Sequence, residues 1–199
     1  MSAADERERA VAMAAVDFEK ALLPAERITE AWYRSQALAA VSRFAPEPQV
    51  ERVAKMALSA ARCCTDWYKR VAVSAWSVCA LAERDRIHSA QLVVGKLLSD
   101  AAYIDHPVIK MDALALLWYA CQRLPLAIRQ PVLDALLAAC RAAHSWKSGR
   151  MLRDITLIVA GYDREAAQRI IDEMGDNIYK RRAQRGLDAG EWEKVRSFF

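Results

Sequence analysis

The chain has 199 residues, of which 54% are apolar, and its basic residues exceed its acidic ones by a formal charge of +4. Six Gly and six Pro are too few for the turns of an all-β protein, and so small a charge excess by itself favours no class of partner. The longest uncharged run, 71–82, has 12 residues, whereas a membrane span needs about 18 or more. With a charged N-terminal run and no apolar signal segment, we expect a soluble, cytoplasmic protein that does not enter a membrane.

Helical periodicity divides the chain into five predicted pairs of antiparallel helices, joined by short connections and forming one domain over 1–199. We expect proline residues such as Pro24 to lie in the gaps, and the seventh helix to begin or kink at Pro131. The predicted pairs are 3–22 with 25–44, 48–63 with 65–83, 85–102 with 106–122, 127–143 with 145–161, and 163–175 with 177–188, followed by a cap at 190–199.

Residues at the predicted helix ends also suggest how the helices start and stop. Asp163 and Thr65 are plausible N-caps, and Gly161 and Gly175 suit left-handed C-terminal positions. The charged tail around 191–196 resembles the polar outer surface that an end repeat requires. Its aromatic residues either fold back as an end cap, which we favour, or form an apolar anchor. These residues are Trp192, Phe198 and Phe199.

One pattern recurs in the second helix of every pair, at spacings of 35, 41, 38 and 32 residues. Repeats of this length indicate stacked helical hairpins. When the copies are aligned, two columns of equivalent positions are apolar, and we predict that both are core. The column five residues after the opening residue holds Ala37, Ala72, Ala113, Met151 and Ala183. The column nine residues after it holds Val41, Trp76, Leu117, Ile155 and Leu187. The copies open at Trp32, Trp67, Val108, Trp146 and Ile178, where we expect the Trp side chains to pack within hairpins.

Two columns after the opening residue are not apolar throughout. The second holds Arg34, Lys69, Lys110, Ser148 and Lys180, which is basic in four copies of five. The first holds a tyrosine in three copies, and further cations follow nearby. If the pairs stack, these positions form a basic, tyrosine-bearing stripe. The residues that we expect to contact a partner are Tyr33, Arg34, Tyr68, Lys69, Arg70, Lys110, Lys147, Arg150, Tyr179, Lys180, Arg181 and Arg182.

The runs YRSQA at 33–37, YKRVA at 68–72, IKMDA at 109–113 and YKRRA at 179–183 resemble the second helix of HEAT repeats. The resemblance covers most of the chain and overlaps loosely with TPR-type hairpins. It implies a right-handed α-solenoid in which each basic residue pairs with an aspartate of an adjacent turn. Asp105 and Asp66 are the candidates, and the remaining copies lack one. The basic column is therefore either such an internal ladder or an exposed stripe.

The sequence contains no motif that indicates a catalytic centre. The odd number of cysteines, five, and the absence of a C-x-x-C motif favour reduced, buried thiols, with Cys63 and Cys64 as a possible redox pair. His and Cys residues lack zinc-ligand spacing, so we expect no metal or cofactor. We predict an all-α, HEAT-like solenoid of about five hairpins that acts as a non-catalytic scaffold for another protein.

Two other functions stay open. The same stripe suits the phosphates of a nucleic acid. Of the two partners, we prefer an acidic or extended protein segment. An enzyme similar to HEAT-like DNA glycosylases would place a catalytic aspartate among Trp and Arg residues. Asp112 with Trp67, Trp146 and Arg150 is the superficial match.

Overall fold

The computed structural model describes residues 2–192 and 198–199, and within them the chain is all-α, with no strand. A short 3₁₀ turn, Glu47–Gln49, precedes the fourth helix. The α-helices of the described chain are α1 Ala3–Ala14, α2 Phe18–Arg27, α3 Ala31–Ser42, α4 Val50–Arg62, α5 Trp67–Glu83, α6 Ile87–Ala101, α7 Pro107–Ala120, α8 Leu126–Ala143, α9 Trp146–Ala160, α10 Arg164–Asp172 and α11 Ile178–Asp188.

The N-terminal pair differs from the prediction. The single helix expected over 3–22 is two helices, α1 and α2, because Asp17 adopts an extended conformation and its side chain accepts a hydrogen bond from the backbone N–H of Lys20. This N-cap starts a new helix at Phe18. Pro24 lies inside α2 and not in a gap, so the carbonyl of Lys20 loses its intrahelical donor while the helix continues to Arg27.

Other boundary signals were partly right. Asp163 caps α10 as predicted, accepting from the backbone N–H of Ala166. Thr65 is not an N-cap, because the neighbouring Asp66 takes that role for α5. The seventh predicted helix does not begin at Pro131. It begins earlier, at Leu126, and runs through the proline.

The prediction of a left-handed conformation at Gly161 and Gly175 was also wrong. Gly161 ends α9 with a right-handed φ of −66°. Among the described glycines a positive φ occurs at Gly190, and Gly175 does not have one. A left-handed helix end is found instead at His144, with a φ of 40°, after α8.

The helices pack so that the second helices of consecutive pairs lie side by side. Each helix contacts its neighbour in sequence, and in addition α3 packs on α5, α5 on α7, and α9 on α11, whereas α7 and α9 meet at a few positions only. The alanine column is fully buried at Ala37, Ala72, Ala113 and Ala183, as predicted for core, whereas its fifth member, Met151, is half-buried. Small side chains there allow the helices to approach closely. These contacts bring α5, α7 and α9 to one surface.

Candidate functional site

The side chains of the basic column make contacts within the chain. This column consists of Arg34, Lys69, Lys110, Ser148 and Lys180. In three copies the side chain reaches back to a backbone carbonyl at the C-terminal end of the preceding helix, where carbonyls lack intrahelical donors. A positive charge there also complements the negative end of the helix dipole. The pairs are Arg34 with the carbonyl of Ile28 at 3.1 Å, Lys110 with that of Ala102 at 3.3 Å, and Lys180 with that of Met174 at 2.9 Å.

The second copy uses the next residue for the same contact. The Nε of Arg70 donates to the carbonyl of Cys64 at 2.9 Å, just beyond the end of α4. Lys69 instead pairs with Asp66, the N-cap of its own helix, at 3.2 Å. The acceptors of the basic column are therefore mainly backbone carbonyls at helix ends. Neither the predicted aspartate ladder nor the predicted exposed stripe included such acceptors.

Serine stands in place of the basic residue in the fourth copy, and it makes different contacts. Ser145 and Ser148 form a reciprocal capping box at the start of α9. The preceding helix, α8, ends at the left-handed His144, a different termination from that of the other first helices.

All three predicted tyrosines, Tyr33, Tyr68 and Tyr179, pack partly against the core. Tyr33 is half-buried, with the Arg7 guanidinium 5.9 Å from its ring centroid. Tyr179 packs directly on Gly149, where a Cβ atom would stand 2.5 Å from the tyrosine Cδ2. Trp67 does not pack within its own hairpin as predicted. Its ring stacks on Tyr103, which follows α6 in the next pair, with the centroids 5.0 Å apart, and 36% of its surface is exposed.

A cleft of about 420 Å³ crosses α5, α7 and α9, and we call it the central cleft. It brings together three predicted residues, Tyr68, Lys147 and Arg150, from two different pairs. Trp146 lies at its edge with 63% of its surface exposed, so this tryptophan is not the packing residue that was predicted. The remaining lining residues are Met111, Asp112, Ala115, Leu116, Tyr119, Met151 and Asp154.

Two carboxylates lie in the central cleft with different surroundings. Asp154 is paired with Arg153, and the Nε of Arg150 lies 4.0 Å from its other oxygen. Asp112 has no hydrogen-bond partner within the described part of the chain. Burial raises the pKa of Asp112, and the positive charge of Lys147 opposes that rise.

The aromatic residues of the central cleft are positioned by their helices. Tyr119 follows Asp112 by roughly two turns of α7, so both side chains lie on one side of that helix. The Tyr119 hydroxyl lies 3.8 Å from the Met151 sulfur of α9, which links the two walls. Burial raises the pKa of the Tyr68 hydroxyl, and the charge of Asp112 adds to the rise. The cleft thus combines aromatic surface, cations and carboxylates.

Asp112 was predicted only as a superficial match to a glycosylase and Met151 only as a core residue. Tyr119 was not predicted, and no partner-binding role was predicted for Asp154. A helical signal existed for the last of these, because Trp146, Arg150 and Asp154 recur at intervals of four residues and share one face of α9. The glycosylase-like set is brought together only in part. Trp146, Arg150 and Asp112 line the central cleft, and Trp67 does not.

The remaining predicted cations, Arg181 and Arg182, are exposed on α11. Neither is paired with a carboxylate in the described part of the chain. Arg182 also lines a second opening of about 840 Å³, which we call the arginine cleft. The other lining residues are Arg153, Leu157, Arg185, Gly186, Ala189, Glu191 and Trp192.

The predicted C-terminal cap over 190–199 is described only in part, since residues 193–197 lie outside the described residues. Phe198 and Phe199 pack on the second pair, and not on the last one. Their rings meet Trp76 of α5 edge to face, with centroids 5.6 and 5.1 Å from the indole. The Arg43 guanidinium lies 4.1 Å from the Phe199 centroid.

Comparisons with protein-family models, curated proteins and solved structures found no match. None of the described helices is long and apolar enough to cross a bilayer. Among the described residues, no group of three or more His, Cys, Asp or Glu side chains is arranged to hold a metal ion. The function must therefore be inferred from the packing and the clefts.

Proposed function

We propose that the chain is a HEAT-like α-solenoid of five helical pairs that serves as a non-catalytic binding module for another protein. The first pair consists of α1 and α2 with α3, and the other four follow in order. Contacts between successive second helices support this stacking, since a solenoid repeat touches mainly its neighbours. Contacts of Arg34, Lys110 and Lys180 with carbonyls at the ends of the preceding helices fit the same repeating unit.

The observation that carries the proposed function is the central cleft. Three consecutive pairs contribute to it, so it exists only when the pairs are stacked. Its tyrosine and tryptophan rings offer rigid contact area, which is typical of binding surfaces. Lys147 and Arg150 are exposed at its edge, whereas Asp112 and Asp154 are half-buried.

The partner that fits best is an extended protein segment with an acidic residue beside an apolar one. The acidic group would pair with Lys147 and Arg150, while the apolar side chain would cover Tyr68 and Trp146. Exposed cations at the edge of an interface mainly steer association and select partners, and the buried aromatic surface contributes most of the affinity.

A site-specific cross-linking experiment tests this proposal. A photo-reactive amino acid replaces Trp146 in the full chain, and in a control it replaces Leu92 of α6. Both side chains are 63% exposed, so the two positions differ in location and not in accessibility. We expect a discrete adduct with one protein from the source cell at position 146. Equal adduct patterns at both positions would argue against the central cleft as the binding site.

Nucleic acid is the second candidate, and the arginine cleft favours it. Arg153, Arg182 and Arg185 surround it together with the exposed Trp192, a combination suited to phosphate and base contacts. On duplex DNA, affinity would fall with salt at a slope of about −0.9 per neutralised phosphate. If no nucleic acid binds at low salt, this candidate is excluded.

A further inference from the structure

The contact between Phe198, Phe199 and Trp76 joins distant parts of the chain. Both phenylalanine rings stand at 83° to the indole, the edge-to-face arrangement that aromatic quadrupoles favour. Arg43 adds a cation–π contact over the face of Phe199 at 4.1 Å. Two adjacent aromatic side chains thus sit in one site, which we call the aromatic site, formed by Arg43, Trp76 and Glu83.

The aromatic site is built by α3 and α5 independently of the two phenylalanines. The Nε of Arg43 pairs with a Glu83 oxygen at 2.5 Å, which joins the end of α3 to the end of α5. The Arg84 guanidinium donates to the backbone carbonyl of Arg43 at 2.6 Å, which fixes the backbone at that point. Trp76 is itself half-buried against the core. Arg43 and Trp76 are therefore held by contacts that do not involve the two phenylalanines.

The composition of the aromatic site defines the ligand chemistry. The charge of Arg43 is already balanced by Glu83, so a ligand needs no carboxylate to pair with it. What the site offers is the edge and face of an indole and the flat surface of a guanidinium. Both favour aromatic rings, and the spacing of the contacts suits two consecutive ones.

We propose that the aromatic site is a docking site for a partner segment that carries two adjacent aromatic residues, and that Phe198 and Phe199 occupy it as an intramolecular competitor. The proposal rests on the proposed function, because it gives the partner protein a second point of attachment. Trp76 lies roughly two turns of α5 beyond Tyr68 of the central cleft, so one extended segment can reach both.

The strength of the competition can be estimated because Phe198 and Phe199 are covalently linked to the aromatic site. Covalent linkage replaces the free concentration of a segment by an effective concentration, which is about 1 mM for a short linker. If the open site binds a free aromatic segment with a Kd of about 100 μM, the occupied site binds it roughly tenfold more weakly. Loss of the two phenylalanines then exposes the site to ligands in solution.

The test is a titration of the full chain with a fluorescent peptide that has the sequence of residues 190–199. The double variant Phe198→Ser with Phe199→Ser should bind this peptide about tenfold more tightly than the wild-type chain. A peptide in which both phenylalanines are serine should not bind. Equal affinity of wild type and double variant, or binding of the serine peptide, would overturn the proposal.

Further changes locate the binding and control for folding. Adding Trp76→Leu to the double variant should abolish peptide binding, and adding Arg43→Gln should weaken it, with circular dichroism confirming the helical content of each. Binding that survives both changes overturns the assignment of the site. If the wild-type chain dimerises and the double variant does not, the phenylalanines dock between copies and the intramolecular assignment is wrong.

The peptide titration and the cross-linking at position 146 test different proposals, so one can give a negative result without the other. A peptide that does not bind, together with a discrete adduct at position 146, would reject the aromatic site and leave the proposed function intact. A peptide that binds as expected, with no adduct specific to position 146, would reject the central cleft alone.

Discussion

The ammonium group of Lys180 donates to the backbone carbonyl of Met174 at 2.9 Å, just beyond α10, and also to that of Asp172, the last residue of that helix, at 3.4 Å. The same arrangement recurs at Arg34 and Lys110, where each cation lies at the C-terminal end of the first helix of its pair. Three side chains of the basic column thus belong to the internal packing of the fold. Each joins its own helix to the end of the helix before it.

Replacing Lys180 by Met should lower the free energy of unfolding by about 0.5–1.5 kcal/mol, because the carbonyl of Met174 loses a charged donor near a helix end. Urea denaturation followed by circular dichroism measures the change. The control is Arg181→Met on the same helix, which should stay within about 0.5 kcal/mol of wild type because Arg181 is exposed. Equal losses in the two variants would remove the capping role.

Replacing Gly149 by Ala should destabilise the fold by about 1 kcal/mol. The new Cβ would stand 2.5 Å from the Tyr179 ring, and overpacking costs more than the helix propensity that alanine gains. Gly95→Ala in α6 is the matched control, since nothing lies within 4 Å of its Cβ position, and it should stabilise by a similar amount. If both variants gain stability, Tyr179 does not pack on α9 as described.

Replacing Asp112 by Asn should raise the free energy of unfolding at pH 7. Burial raises the pKa of Asp112 in the folded state above its unfolded value, so the wild-type chain loses stability as pH rises from the unfolded pKa through the folded one. The gain in the variant should vanish at a pH below both values, where the carboxyl is protonated in both states. Urea titrations at pH 3 and pH 7 measure the difference.

Asp105→Asn is the control for that experiment. Asp105 is exposed, and the Lys110 side chain contacts the carbonyl of Ala102, so this change should leave stability nearly unaltered at both pH values. A clear loss at pH 7 would indicate that Asp105 pairs with Lys110, as the aspartate ladder implies.

The five cysteines should differ widely in reactivity. Burial raises the pKa of the Cys79, Cys121 and Cys140 thiols to about 12, and burial also raises that of Cys64, whereas Cys63 is exposed. Because the thiolate is the nucleophile, a thiol reagent at pH 8 should label one cysteine rapidly in the native chain and all five after denaturation. Mass spectrometry identifies the site, and rapid labelling of Cys121 would contradict the packing.

Much of the helical architecture could be predicted from the sequence, because periodicity of apolar residues reports burial directly. The break between α1 and α2 was missed since it depends on one polar side chain, Asp17, which starts a new helix within a continuous helical pattern. The acceptors of the basic column were missed for a different reason. Backbone carbonyls carry no sequence signal, so aspartates were the visible candidates.

The central cleft was predicted only in fragments. Tyr68, Lys147 and Arg150 were found through the repeat, but Asp112 and Tyr119 face the same space only after α5, α7 and α9 come together. The docking of Phe198 and Phe199 on Trp76 could not be predicted either. It joins residues far apart in sequence, and no local pattern encodes such a contact.

Charge reversal in the central cleft tests the proposed function most directly. The double variant Lys147→Glu with Arg150→Glu should lose the partner that cross-links at position 146. The control Arg52→Glu with Lys55→Glu changes the same charge at the same spacing on α4, where both residues are exposed, and should keep that partner. Capture that persists in the first variant, or that falls equally in both, would contradict binding through the central cleft.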